Sequence, residues 1–322
     1  MKNLRIVFMG TPEFAVSTLG SLLMNGLNVV AVVTTPDKQA GRGRKLRKSA
    51  VREFAEFSYL PVLQPGNLKD PDFIKALEQL KADLFIVVAF RMLPEVVWRI
   101  PSIGTINLHA SLLPQYRGAA PINHVIINGE TVTGVTTFFI DDKIDTGNIL
   151  MREELHIFPF ENAGDLHDRL MKHGARLVIR TIEAIAGGSV KPIPQSELIV
   201  PGETIKTAPK ITPDFCIINW DNEPAVINNF IRGLAPYPCA RSYFVGRKGE
   251  EIMFKVHESL FEEEYHDLQP GDIVAGNKKT LRIACKKGFI DIVSLQPEGK
   301  RKMNADEFLR GFDLTGYNIK AD

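Results

Sequence analysis

The sequence has few cysteines and no long apolar run, and these two absences exclude several classes of protein. Its three cysteines, Cys216, Cys239 and Cys285, lie far apart and form neither a redox pair nor a metal-binding spacing. No apolar stretch approaches the roughly 20 residues that a membrane helix requires. The run over residues 6–9 is too short for a signal peptide and predicts a first strand. We therefore expect reduced, buried thiols in a cytoplasmic protein that does not enter a membrane.

An excess of charge of either sign is also absent. The chain has 39 Lys and Arg against 38 Asp and Glu, a formal net charge of +1, so any nucleic-acid-binding surface must be local. The glycine fingerprint of a dinucleotide site is missing as well, because residues 10–12 read Gly-Thr-Pro and two of the three glycines are absent. This argues against a dinucleotide-dependent oxidoreductase, although the alternation of strands and helices alone would allow one.

The first half of the chain alternates apolar strand-like runs with helical segments. With 322 residues, of which 44% are hydrophobic and 24% charged, the chain is long enough for two globular domains. Strands are predicted over residues 4–8, 29–33, 84–89, 105–108 and 135–140, and helices over 13–24 and 70–81, with Asp70 as the candidate cap of the second helix. Continuous apolar strands separated by helices are typical of a parallel sheet covered on both faces. The predicted fold is therefore α/β, a Rossmann-like, mostly parallel sheet with flanking helices.

The second half has a different pattern. Asn162 is a candidate cap for a helix that reaches residue 185, and a proline-rich stretch without periodicity follows. One further helix is predicted over residues 223–234. Short strands are then predicted over residues 240–244, 252–256, 272–275, 281–284 and 289–295. Regularly spaced short strands indicate a small, OB-like β-barrel. We predict one domain over residues 1–189, a linker over 190–208 and a C-terminal barrel domain over 209–322.

Polar side chains follow three of the predicted strands, where ligands of parallel sheets bind. They are Arg91, His109 and the aspartates of residues 141–145. Asn107 and His109 are two residues apart, so both should point to the same side of a strand. The amide can donate to a developing oxyanion and the imidazole can move a proton near neutral pH. For this pair alone, a strand end with a hydrogen-bonded core histidine remains the simpler interpretation.

A carboxylate near His109 would favour the catalytic interpretation. Asp141, Asp142 and Asp145 surround one lysine in the segment after the predicted strand over 135–140. Such a cluster is also typical of a solvated turn. One of the three could instead hydrogen-bond His109 and fix its tautomer, as carboxylates do in other histidine-based sites.

Two stretches carry a resemblance to a known family. Residues 107–121 contain Asn-x-His, Ser-Leu-Leu-Pro, Arg-Gly and a later proline, and residues 145–147 read Asp-Thr-Gly. In this order and separation they resemble the signatures of the 10-formyltetrahydrofolate-dependent transferases. The resemblance implies that Asn107, His109 and Asp145 are the catalytic residues, that 10-formyltetrahydrofolate is the cosubstrate and that no metal is needed. It also implies a group of folate contacts: Phe90, Arg91, Met92, Leu93, Ser111, Leu112, Leu113, Pro114, Asp141 and Asp142.

A basic segment bears on the acceptor of the formyl group. Residues 38–52 contain seven basic residues and no acidic one, which alone would fit a solvated surface loop. Residues 35–48 resemble the tRNA-contacting loop of the family branch that formylates methionyl-tRNA, and residues 231–238 resemble its C-terminal domain. The resemblance implies that methionyl-tRNA is the partner, that the C-terminal domain contacts it, and that the loop binds it through Arg42, Arg44, Lys45, Arg47 and Lys48. An amino sugar as acceptor, or hydrolysis of formyltetrahydrofolate, stays open as an alternative. We expect a monomer.

Overall fold

The computed structural model describes residues 4–40, 45–274 and 280–320. The chain forms two compact units. The first comprises Met1–Gly118, Val132–His156 and His167–Thr207, and the second comprises Ala119–Thr131, Ile157–Leu166 and Ala208–Asp322. Within the described residues, no helix is long and apolar enough to cross a membrane. All three cysteines are free and buried, as predicted.

The secondary structure follows the chain in this order. The helices are α1 Glu13–Met24, α2 Ala50–Phe57, α3 Pro71–Gln79, α4 Glu95–Trp98, α5 Pro121–Ile127, α6 Ala163–Ala186, α7 Pro224–Leu234 and α8 Ala305–Gly311. The strands of the first unit are β1 Arg5–Gly10, β2 Asn28–Val33, β3 Lys38–Ala40, β4 Lys45–Arg47, β5 Val62–Leu63, β6 Leu84–Val88, β7 Gly104–His109, β8 Arg117–Gly118, β9 Val132–Phe139 and β10 Ile149–His156. The later strands are β11 Thr207–Ala208, β12 Ala240–Gly246, β13 Glu251–Glu263, β14 Ile273–Val274, β15 Leu281–Cys285, β16 Gly288–Pro297, β17 Met303–Asn304 and β18 Tyr317–Ile319.

The first unit is built on a seven-stranded sheet with the order β10-β9-β7-β6-β1-β2-β5. The pairs from β7 to β5 are parallel, whereas β9 is antiparallel to both β7 and β10. Every residue of the central strand β6 is buried, which explains its uninterrupted apolar sequence. The predicted α/β class and its mostly parallel sheet are confirmed.

One expectation from the strand pattern is wrong: the aspartates of residues 141–145 do not follow a strand that ends at the same edge of the sheet as β7. Instead, β9 runs antiparallel, and its last residue, Phe139, lies opposite Ile106 near the beginning of β7. Thr136, three residues earlier on β9, is the residue opposite His109. The chain after β9 must therefore turn back along the sheet before Asp145 can reach His109.

Two predicted helix caps are confirmed. Asp70 accepts a hydrogen bond from the backbone N–H of Asp72 at 2.9 Å, and Pro71 occupies the first turn of α3. Asn162 accepts from the backbone N–H groups of Gly164 and Asp165 at 2.8 and 3.1 Å and so caps α6. In both helices the N–H groups of the first turn have no partner within the helix. The short polar side chain satisfies them, and this favours a helix that begins directly after it.

The second unit contains an antiparallel sheet with the order β14-β15-β16-β13-β12-β18, and β17 pairs with β16. The backbone N–H of Ile319 in β18 donates to the carbonyl of Gly271, just before β14, so the two ends of the sheet meet. Phe244 and Phe254 stack inside it with ring centroids 4.1 Å apart. This confirms the predicted C-terminal β-barrel.

The segment predicted as a linker, residues 190–208, makes specific hydrogen bonds within the first unit. Ile193 exchanges two backbone hydrogen bonds of 2.8 Å with Ile149 at the start of β10. A short 3-10 turn follows at Gln195–Leu198. Lys206 then bonds through its backbone to Gln115 and Tyr116. That this segment forms the boundary between the two predicted domains stays a prediction.

Candidate active site

His109 is the last residue of β7 and is 6% exposed. Its Nε2 atom lies 2.9 Å from the backbone carbonyl oxygen of Tyr116. A carbonyl oxygen only accepts hydrogen bonds, so Nε2 must carry the hydrogen. In the neutral ring the lone pair is then on Nδ1, which makes Nδ1 the atom that can exchange a proton with a substrate.

The carboxylate of Asp145 faces that second nitrogen. Its Oδ2 atom lies 3.8 Å from His109 Nδ1, and the two side chains are 16% and 7% exposed. This distance is too long for a direct hydrogen bond, so the carboxylate stabilises positive charge on the ring through space. The same oxygen accepts a 3.0 Å hydrogen bond from the backbone N–H of Gly118. One of the three aspartates, Asp145, thus lies beside His109, but it does not form a direct hydrogen bond with the ring.

Asn107 lies two residues before His109 on β7, on the same side of the strand, and is half-buried. Its neighbours in the sheet are Val87 of β6 and Phe138 of β9. Both neighbouring residues are apolar and buried. An amide in such surroundings is a stronger donor than an amide in water, because the local dielectric constant is low.

The loop between β9 and β10 is held by contacts among its own residues. Asp141 accepts hydrogen bonds from the backbone N–H of Lys143 and from the hydroxyl of Thr146. A Cβ atom on Gly147 would come 1.7 Å from the carbonyl oxygen of Phe139, so only glycine allows this approach. Asp145 has a left-handed backbone, with φ +55°. The loop is therefore closely packed where it turns back.

Gln195 is a buried residue of this region that the sequence reasoning missed. Its Nε2 donates to the carbonyl oxygens of Asp145 and Gly147, each at 2.9 Å, and its Oε1 accepts from the guanidinium of Arg117. Arg117 lies inside the recognised signature, but Gln195 lies in a segment without periodicity. No local pattern in the sequence marks a side chain whose partners lie 48 to 78 residues away.

The predicted folate contacts over residues 90–93 follow β6 as an irregular segment. Phe90 is half-buried, Met92 is 70% exposed, and Leu93 is part of the core. Arg91 donates to the carbonyl oxygens of Pro65 and Gly66 at 2.7 and 3.1 Å and lies over the ring of Phe90. Burial lowers the pKa of the Arg91 guanidinium from its usual value. No hydrogen bond within the described chain uses the backbone groups of residues 90–93.

The other predicted folate contacts lie in the segment after His109 and in the loop between β9 and β10. Ser111 is fully buried and donates to the carbonyl of Gln115 at 2.7 Å. Leu112 is half-buried, Leu113 and Pro114 are buried, and Asp142 is exposed. As folate contacts, these residues and Asp141 stay predictions.

Of the predicted tRNA-binding residues, Lys45 and Arg47 lie on β4, which pairs with β3 in a hairpin, and Lys48 follows β4. Arg42 and Arg44 fall outside the described residues, and of Lys45 only the backbone, which pairs with Ala40, is described. Arg47 is exposed. The hairpin itself was missed, because three-residue strands have too little alternation to be recognised.

Charged groups hold the base of this hairpin. Lys48 forms a 2.6 Å ion pair with Glu56 of α2. Asp37 accepts from Arg52 and, at 3.1 Å, from Gln64. Hydrogen bonds from Gln64 and Arg52 lower the pKa of the Asp37 carboxyl from its usual value. Two of the seven basic residues in this region thus already have acidic partners.

No group of three or more His, Cys, Asp or Glu side chains among residues 4–40, 45–274 and 280–320 is arranged to hold a metal ion. The candidate site combines a buried imidazole beside a carboxylate, on a strand that also presents an amide. This combination can stabilise a developing negative charge and move a proton, which are the requirements of acyl transfer between nitrogen atoms.

Family comparisons agree with this chemistry. A family model described as "Formyl transferase" matches residues 4–182, and one described as "Formyl transferase, C-terminal domain" matches residues 210–313. The chain belongs to the formyl transferase family.

Its curated relatives include enzymes named methionyl-tRNA formyltransferase. The protein of that name from Bacteroides fragilis is 52% identical over 321 residues, which covers 99% of both chains. The one from Flavobacterium johnsoniae is 53% identical over 315 residues, 98% of both.

Solved structures support the fold. WlaRD, a sugar 3N-formyl transferase, matches with a TM-score of 0.65 and 21% identity over 94% of this chain and 100% of that one. HypX from Aquifex aeolicus, solved in complex with tetrahydrofolic acid, matches with a TM-score of 0.62 and 18% identity over 96% of this chain. The match spans only 47% of the HypX chain. At these identities the likeness concerns the fold alone.

Proposed function

We propose that this chain transfers the formyl group of 10-formyltetrahydrofolate to the free amino group of methionyl-tRNA, for the initiation of translation. The observation that carries the proposal is the placement of a buried imidazole between a backbone carbonyl on one side and a carboxylate on the other. The names of the relatives, at about 50% identity over nearly the whole chain, support the choice of acceptor.

The cosubstrate fits the segment after β6. A pterin ring needs an apolar wall and hydrogen-bonding groups at its edge. Residues 90–93 offer both, because Met92 is exposed and the backbone groups of this segment are not used by other described residues. Bound there, 10-formyltetrahydrofolate supplies the activated formyl group.

The chain's own residues would act on charge and protons. The neutral amine of the acceptor attacks the formyl carbon, and negative charge develops on the formyl oxygen. Asn107 would donate to this oxygen. As a carbon–nitrogen bond forms and the bond to the folate nitrogen breaks, the amine loses a proton and the folate nitrogen gains one. His109 would take the proton of the amine on Nδ1 and pass it to the folate nitrogen, because its Nε2 is committed to Tyr116, and Asp145 would stabilise the ring while it is charged.

The acceptor would be held by the hairpin of β3 and β4. Its exposed Arg47, together with the predicted residues Arg42, Arg44, Lys45 and Lys48, would contact the phosphates of the tRNA, because binding a few cations to this polyanion releases counterions. Arg42 is the residue of the predicted set that we expect to matter most, because it lies between two glycines that let the backbone approach the nucleic acid.

A single assay tests the function. The protein is incubated with 10-formyltetrahydrofolate labelled in the formyl group, together with charged initiator tRNA, and the label is followed. We expect labelled formylmethionyl-tRNA. Label that reaches only an amino-sugar nucleotide, or appears as formate while the tRNA stays unlabelled, would overturn the proposed acceptor in favour of the corresponding alternative.

A further inference from the structure

Gln195 connects the loop that carries Asp145 to Arg117 of β8, which lies within the signature over residues 107–121. It is 3% exposed and begins the short 3-10 turn at Gln195–Leu198. We infer that Gln195 is a positioning residue for formyl transfer: it acts through Asp145, by fixing the loop that sets the carboxylate beside His109. This inference rests on the proposed function.

The hydrogen-bonding capacity of Gln195 is fully used. Its two amide hydrogens go to the carbonyl oxygens of Asp145 and Gly147, each at 2.9 Å. Its oxygen accepts from Nε and Nη2 of Arg117 at 3.0 and 2.6 Å. A side chain with two donors on one end and two acceptor sites on the other is what this position requires, and only an amide provides it.

The contacts form a closed ring around Asp145. Arg117 is followed directly by Gly118, whose backbone N–H donates to the Asp145 carboxylate at 3.0 Å. The carbonyl of Asp145 is held by Gln195, and Gln195 is held by Arg117. The main chain and the side chain of Asp145 are therefore both held by this ring, and both bonds contribute to the 3.8 Å separation from His109.

The loop needs such support because of the direction of β9. After Phe139 the chain must return along the sheet to His109, outside any strand ladder. A backbone carbonyl without a partner in a buried place is costly, and a loop free to choose other partners would move the carboxylate. Ile193, paired with Ile149, brings Gln195 to the returning loop.

The same segment also supports the other side of His109. The carbonyl of Lys206 accepts from the backbone N–H of Tyr116 at 2.7 Å, and its own N–H donates to the side chain of Gln115 at 2.8 Å. Tyr116 is the residue whose carbonyl receives His109 Nε2. Residues 193–206 thus contact the segments on both sides of the imidazole. Gln195 bonds the loop that carries the Asp145 carboxylate, and Lys206 bonds Tyr116.

Two substitutions separate the contacts of Gln195. Gln195→Met keeps the length of the side chain and removes all four hydrogen bonds. Gln195→Glu keeps the acceptors for Arg117 and removes both donors to the loop. We expect kcat for formyl transfer to fall about tenfold to a hundredfold in both variants. The matched control is Ser196→Ala, because Ser196 is exposed and adjacent, and we expect a wild-type rate. A wild-type rate for Gln195→Glu would show that the loop contact does not matter and would overturn the inference.

A double-mutant cycle with Asp145→Asn decides whether Gln195 acts through Asp145. If it does, adding Gln195→Glu to Asp145→Asn should cost less than about a further twofold in kcat, because the group it positions is already compromised. Losses that multiply would overturn the inference. Thermal unfolding of each variant, with kinetics well below its midpoint, separates a lost position from a lost fold. A wild-type protein that does not formylate methionyl-tRNA defeats the proposed function itself, whereas full activity in both Gln195 variants defeats only the inference.

Discussion

Two segments that leave the main sheet are held in different ways. The loop after β9 is fixed by hydrogen bonds to its backbone and to one carboxylate, from Gln195 and Gly118. The segment after β2, residues 34–49, is fixed at its base by side chains. Thr34 and Ser49 share a hydroxyl contact of 2.7 Å, and charged pairs lie beside them.

The difference is consistent with the role that we propose for each segment. A group that acts on a reacting atom must be placed within a fraction of an ångström, which several buried hydrogen bonds achieve. Cations that attract a polyanion act over roughly 8 Å at physiological salt, so their positions can vary. Changes in the first segment should therefore alter the rate of formyl transfer, and changes in the second should alter the affinity for tRNA.

The largest effect should follow from removal of the reacting groups. We expect His109→Ala and Asn107→Ala each to lower kcat by a hundredfold or more, because each loses a group that acts only in the transition state. Turnover would be measured beside a thermal melt. Near-normal turnover in a folded His109→Ala protein would contradict the mechanism.

A slightly smaller effect should follow from crowding the returning loop. In Gly147→Ala the new methyl group would meet the carbonyl oxygen of Phe139 at 1.7 Å, so the loop must move. We expect a loss of about 1–3 kcal/mol in the free energy of unfolding and at least about a tenfold loss in kcat. Gly311→Ala is the control, since its methyl group would meet nothing within 4 Å. If Gly147→Ala melts and turns over like the control, the loop is not rigid.

Asp37→Asn, at the base of the hairpin, should weaken the binding of tRNA. The substitution weakens the hold on Arg52, so we expect the tRNA KM to rise several-fold with little change in folate affinity. Glu53→Gln is the control, because it also removes one negative charge, from an exposed position on α2. Charge alone would tighten tRNA binding in both variants. Tighter binding by Asp37→Asn would therefore show that the base of the hairpin has no positioning role.

The smallest effect should appear in the salt dependence of tRNA binding. Arg47 is exposed, whereas Lys48 is paired with Glu56 at 2.6 Å. Arg47→Gln should lower the slope of log affinity against log salt by about 0.7–0.9, the value for one phosphate contact. Lys48→Gln should change the slope less, because Glu56 already neutralises that lysine. Equal slopes for wild type and Arg47→Gln would show that Arg47 touches no phosphate.

The elements that the sequence predicted share one property: their signal is local. The apolar runs of β1, β2, β6 and β7, the caps at Asp70 and Asn162, and the barrel strands could all be recognised from neighbouring residues. The direction of β9 could not be predicted, because a buried antiparallel strand has the same composition as a parallel one.

The candidate site shows the same limit. Asn107, His109 and Asp145 could be identified because their side chains form a recognisable signature. Their supports could not, because the carbonyl of Tyr116 and the N–H of Gly118 are groups that every residue possesses. Gln195 is distant in sequence from all of its partners, and only the fold brings it to them.

The long reach of residues 193–206 has a consequence for synthesis on the ribosome. A chain grows from its N-terminus, so β7 and its histidine emerge early. The backbone of Lys206, which bonds Gln115, follows 91 residues later, and Gln195 follows Asp145 by 50. A nascent chain can therefore complete its first sheet while its imidazole still lacks fixed neighbours. The imidazole of His109 would have this full set of supports only after about two thirds of the chain has been translated.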